Sequence, residues 1–119
     1  MRGAIHEKSF AFALGVVKLA QQLQGDKKEF VLSRQFLRSG TAIGALVREA
    51  EHAESKADFI HKMAIALKEA NETIYWLELL HLSGYIAPQD FEPTHYDCSE
   101  LVKLLVSIVK TSKAQTQSQ

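Results

Sequence analysis

Proline is almost missing from this chain of 119 residues: there are two, and none before Pro88. Nothing upstream of Pro88 therefore forces a break in a helix. Cysteine occurs once, at Cys98, which rules out an intrachain disulfide and suits a reducing cytoplasm. Runs of about 18 apolar residues are lacking, so no segment reads as a membrane-spanning helix. An excess of either charge is lacking too, with 14 Lys plus Arg against 14 Asp plus Glu. That balance argues against the global basic field of a dedicated nucleic-acid binder, although a local patch remains open. Glycine-rich phosphate loops, a His-Glu-x-x-His zinc motif and a nucleophile elbow are all missing, and no cofactor is expected.

What is present is an ordinary globular composition, 46% hydrophobic and 24% charged, in a length that suits one domain. The apolar stretch Ser9 to Val17 after Arg2 has the outline of a secretion signal. His6, Glu7 and Lys8 precede it, Lys18 cuts it short, and no small-residue cleavage site follows, so it reads as part of a helix.

Apolar periodicity predicts four helices. The first covers about Ile5 to Gln24 and has two stripes. Phe10, Ala13, Leu14, Val17 and Ala20 form one; Phe12, Val16, Leu19 and Leu23 form the other. A helix apolar on two faces is expected to be buried on both. Gly25-Asp26 stops it. The second helix starts at Glu29 or Ser33 and ends near His52, with Leu32, Phe36, Ile43, Val47 and Ala50 facing inward. Gly40 and Gly44 inside it each cost about 1 kcal/mol relative to alanine, which close approach of a neighbouring helix would offset. The third is expected to open at Ser55 as N-cap, with Asp58 completing a short capping box, and to end near Ser83 before Gly84 in a left-handed turn. The fourth lies between Pro88 and Ser112, with a kink or restart at Pro93.

Four helices with short connectors predict an all-α, up-down-up-down four-helix bundle over residues 1–112, followed by a disordered polar tail, 113–119. The helices carry more apolar surface than so small a core requires. Tyr75, Trp76 and Leu79 sit off the main stripe of the third helix, and a subunit interface is expected there.

Two Glu-x-x-His motifs, Glu49 to His52 and Glu78 to His81, have the pattern of di-iron bundles. Consecutive antiparallel helices hold them apart: His81 lies about 20 residues beyond His61 on one helix, roughly 30 Å. They cannot share a metal pair within one subunit. Glu49, His52, Asp58 and His61 could converge at the hairpin tip as nitrogen and oxygen ligands for a divalent metal, the basis of a metal-dependent enzyme reading. Their spacing matches no zinc motif, and a solvated, charge-rich helix end accounts for them more simply. Cys98 reads as a small core residue rather than a nucleophile, and Ser39 as a packing residue bonded back to its helix rather than an anion ligand. Arg34, Arg38 and Arg48 lie close to one face of the second helix. Repeated around an oligomer they would make a phosphate-binding surface; paired with Glu72 or Glu78 they would not.

The segment Gln35 to Leu80 resembles the four-helix-bundle family of proteins encoded within 23S rRNA intervening sequences. The likeness rests on Arg38-Ser39-Gly40-Thr41-Ala42-Ile43-Gly44, Glu49-Ala50 and Ser55-Lys56-x-x-Phe59. It continues through Ala66-Leu67-Lys68-Glu69 to Glu72, Glu78 and Gly84-Tyr85-Ile86. Many members carry asparagine where Ala45 stands, so a role for that amide does not transfer. The resemblance implies a bacterial cytoplasmic protein with no established enzymatic activity, and a closed ring of five bundles. A similar bundle, the accessory variability determinant of diversity-generating retroelements, is a basic pentameric partner of reverse transcriptase and nucleic acid. The reading is a non-enzymatic, homopentameric scaffold associating with structured RNA or a nucleoprotein through Arg34, Arg38 and Arg48. The alternative is a protein-binding adaptor without nucleic-acid contact.

Overall fold

The computed structural model describes residues 3–117, which form four α-helices and no strand. Arg2 and the last two residues of the polar tail lie outside the described residues. The helices are α1 (Ala4–Gly25), α2 (Val31–Glu51), α3 (Lys56–Leu82) and α4 (Pro88–Gln117).

Local chemistry sets the helix ends. At the start of α2, the Glu29 carboxylate accepts from the backbone N–H groups of Val31, Leu32 and Ser33 at 3.2, 3.1 and 2.7 Å. It thus satisfies three of the four donors that a helix N-terminus leaves unpaired. Lys28, at φ 55°, turns the chain into this cap. At the α2–α3 turn a variant of the capping box forms: Asp58 N–H donates to Ser55 Oγ at 3.0 Å, and Asp58 Oδ2 accepts at 3.2 Å from the N–H of Glu54, the residue before the cap. Helix α3 ends at Gly84, φ 87°, where the Tyr85 N–H reaches back to the Leu80 carbonyl at 2.9 Å.

Contact registers show that neighbours run antiparallel. Gly40 approaches Val16 while the later Gly44 approaches the earlier Ser9. Ser39 meets Thr73 while Glu49 meets Lys62. Cys98 meets Ala70 while His95 meets Glu78. Each helix touches the next along the chain, and α4 closes back on α1. The result is an up-down bundle measuring 53 × 23 × 20 Å. Phe36, Ile43, Leu77, Leu80, Leu101 and Leu105 are fully or almost fully buried at its centre.

Two expectations are corrected. Pro93 does not restart α4, which runs through it unbroken. Only one backbone donor is missing there, near the helix start. Helix α4 also passes Ser112 and continues to Gln117, so residues 113–117 are helical rather than part of a loose tail. Lys56 Nζ, from the start of α3, donates to Gln115 Oε1 at 3.0 Å across the bundle end.

Among the described residues no helix is long and apolar enough to cross a membrane.

Candidate functional site

The α2–α3 seam gathers the charged and polar groups that the sequence singles out. Arg38 reaches across to α3 and binds two carboxylates. Its Nη1 donates to Glu69 Oε1 at 3.2 Å, and its Nη2 bonds Glu72 Oε2. The same Glu72 oxygen accepts from Trp76 Nε1 at 2.9 Å. The indole hydrogen bond, aided by Arg38, holds the Glu72 carboxyl below its ordinary range. The Glu72 hydrogen bond likewise raises the Arg38 guanidinium further above its usual value. Beneath this surface network, Ser39 and Thr73 share a buried hydrogen bond of 2.9 Å. Thr73 Oγ1 also lies 2.7 Å from the Glu69 carbonyl, so the pair is satisfied within the seam.

The three arginines therefore do not share one set of partners. Arg38 leans to α3 and is compensated by Glu69 and Glu72. Arg48 leans to α1, with its guanidinium carbon 6.0 Å from the Phe10 ring centroid, a cation–π distance. Arg34 is exposed. The pairing reading had named Glu72 and Glu78. Glu72 takes that role with Glu69, whereas Glu78 faces His95 Nε2 of α4 at 3.2 Å.

The hairpin-tip residues do not converge on a metal. Among the described residues no group of three or more His, Cys, Asp or Glu is placed to hold an ion. Glu49 turns to Lys62 at 3.0 Å, Asp58 is committed to the cap, and His52 and His61 are exposed. Of the two readings of Glu49, His52, Asp58 and His61, this arrangement is that of a charge-rich helix end. His81, from the second Glu-x-x-His motif, bonds the Ile86 carbonyl through Nδ1 at 2.8 Å and stacks on Phe91 at 4.1 Å between ring centroids. Cys98 is fully buried with Sγ 3.4 Å from the Ala70 carbonyl, and burial pushes its thiol up to about 12.

Exposed apolar surface lies on α3, at Tyr75 and Leu82, and also on α1. Of Tyr75, Trp76 and Leu79, only Tyr75 is exposed. Trp76 is half-buried against the core and tied to Glu72, and Leu79 is half-buried. On α1, by contrast, Phe12, Val16, Leu19 and Leu23 enter the core while Phe10 and Leu14 stay 53% exposed and Val17 37%. The sequence reading had buried both stripes. The signal that separates them is Lys18 and Glu7, which flank the outer stripe.

A family model, 23S rRNA-intervening sequence protein, matches residues 3–107. The chain belongs to that family. A crystal structure of a protein of unknown function from the S23 ribosomal protein family, from Bacteroides thetaiotaomicron VPI-5482, superposes on this family member with a TM-score of 0.89. The two are 54% identical, over 90% of this chain and 99% of the other. No curated protein matches the chain.

Proposed function

We propose that this family member is a non-enzymatic interaction subunit that assembles with copies of itself and works by contact with protein. The observation that carries this reading is the line of large apolar side chains left outside α1, Phe10, Leu14 and Val17. Contiguous exposed apolar surface on a small helical protein marks a binding face. A ring of five is the form that the family resemblance suggests. The test is sedimentation equilibrium at micromolar concentration. A self-associated species is expected; a monomer throughout overturns the proposal.

Association with structured RNA is the second reading. The name of the family, and the ribosomal-protein family of the Bacteroides relative, favour it. Pairing of Arg38 with Glu69 and Glu72 weighs against it, because a guanidinium already held by two carboxylates releases little counterion on meeting a phosphate. If RNA binds, its affinity falls steeply with salt and falls again when Arg34 and Arg48 become glutamine. Binding to 23S rRNA fragments that ignores both salt and those substitutions sinks this reading.

A further inference from the structure

Two apolar stripes stay outside the bundle, and their spacing matches. On α1 the stripe is Phe10, Leu14 and Val17; on α3 it is Tyr75, Leu79 and Leu82. Both step by four residues and then three, the spacing at which one helix seats its side chains between those of another. Tyr75 is 57% exposed and Leu82 84%, with Leu79 half-buried between them. Among the described residues α1 and α3 do not touch: each packs on α2 and α4, so the two stand diagonally across the bundle. Because successive helices alternate in direction, α1 and α3 run the same way. No subunit can cover one of its own stripes with the other.

We infer that the α1 stripe of one copy of the chain packs in parallel on the α3 stripe of the next copy, head to tail. Equal spacing sets Phe10 against Tyr75, Leu14 against Leu79 and Val17 against Leu82 of the neighbour. Charge agrees with this register. In a parallel pair the residues flanking the seam on opposite sides meet, which here brings Glu78 of α3 beside Lys18 of α1. Lys18 is exposed and carries no ion pair among the described residues, and the Glu78 side chain is 52% exposed. At the open end of the seam Glu7 approaches Glu72, and the cations Arg48 and Arg38 stand beside them. Next to Phe10, the small residues Thr41, Gly44 and Ala45 line a recess of about 360 Å³ with room for the neighbour's Tyr75 ring. Val16 and Thr73 stand at one level of the bundle, through Gly40 and Ser39. The register therefore shifts one copy along the next by about eight residues, roughly 12 Å, and inclines neighbouring bundles. A subunit with two different faces passes the contact on, and such a chain closes into rings of odd or even number, five included. The inference rests on the self-assembly proposed above and names the two faces and their order.

Complementation tests it. Leu14→Asp spoils the α1 stripe and Leu82→Asp the α3 stripe, both at exposed positions, so helix content by circular dichroism should match the wild type. Each variant alone should sediment as a monomer at concentrations where the wild type self-associates. Mixed in equal amounts, the two should form a dimer of one copy of each and nothing larger, because such a pair has one intact stripe of each kind. Lys18→Glu should weaken wild-type self-association about tenfold, and K18E with E78K should restore it. A Leu14→Asp variant that still assembles alone, a mixture that stays monomeric, or a double variant no better than K18E overturns the pairing of α1 with α3 and leaves self-assembly standing. A wild type that is monomeric at every concentration overturns both.

Discussion

Gly40 of α2 sits so close to Val16 of α1 that a Cβ on the glycine would stand 2.8 Å from both Val16 methyl carbons. Gly44, one turn on, would bring its Cβ 3.3 Å from the Ser9 carbonyl oxygen. These two glycines set the distance between α1 and α2. That distance fixes how α1 is rotated, and hence which of its stripes goes inward.

Gly40→Ala should therefore destabilise the protein, although alanine is the better helix former by about 1 kcal/mol. Val16 is fully buried and β-branched, so it has little freedom to move aside. Overpacking of about 1–3 kcal/mol outweighs the propensity gain. Gly15 is the internal control: a Cβ there meets nothing within 4 Å, and Gly15→Ala should stabilise by up to about 1 kcal/mol. Urea denaturation at one fixed protein concentration measures both. A Gly40→Ala variant as stable as Gly15→Ala would show that α1 can shift away without cost.

Glu72 offers a spectroscopic handle on the α2–α3 seam. The Trp76 indole first, and Arg38 second, favour its charged form, so its folded pKa lies below the unfolded value. Stability from this carboxylate is fully present above the unfolded pKa and is lost as pH falls through the lowered folded pKa. Trp76 fluorescence should report a transition on the acid side of the ordinary glutamate range. Glu72→Gln should remove that transition, and added salt should move it upward as screening weakens the Arg38 pair. By NMR, Trp76→Phe and Arg38→Gln should each raise the Glu72 pKa; a variant that leaves it unchanged would show that the group it removes does not hold the carboxylate.

Elements whose cause is local were legible in the sequence. Ser55, Asp58 and Gly84 act within a few residues of themselves, and their capping bonds form where the pattern puts them. The spacing of Gly40 and Gly44 likewise announced a close helix contact without naming its partner. The Glu29 cap was missed because a glutamate two residues before a helix is ordinary composition until Lys28 turns it inward. Side-chain destinations across helices were the least legible. Periodicity gave α1 two apolar stripes and could not say which one the other helices leave uncovered. It placed Arg38 and Arg34 together, whereas α3 supplies carboxylates opposite only one of them.

Cys98 should be inert in the folded protein. Complete burial and a thiol pushed up to about 12 leave almost no thiolate at pH 8, and no path for a reagent. Ellman's reagent is expected to react with it only at the rate of unfolding, and rapidly in denaturant. Fast labelling of the native protein would mean that α3 and α4 part locally at Ala70.

The hydroxyls of Ser39 and Thr73 are both fully buried, and they bridge α2 and α3 at 2.9 Å. Each hydroxyl has one proton. The shortest consistent arrangement has Thr73 donating to the Glu69 carbonyl at 2.7 Å, which leaves Ser39 to supply the proton between the two side chains. Thr73→Val keeps the shape but removes the acceptor of that bond. Ser39 is then left with the Phe36 carbonyl at 3.5 Å, the weak limit of a hydrogen bond. A loss of about 1–3 kcal/mol follows from stranding a buried donor. Ser39→Ala removes the donor itself and leaves Thr73 still bonded to its own helix, so it should cost less. In the double variant no donor is stranded, and its cost should fall short of the sum of the singles by about 1 kcal/mol. Additive losses in this cycle would mean that the seam holds by packing alone and the two hydroxyls are independent.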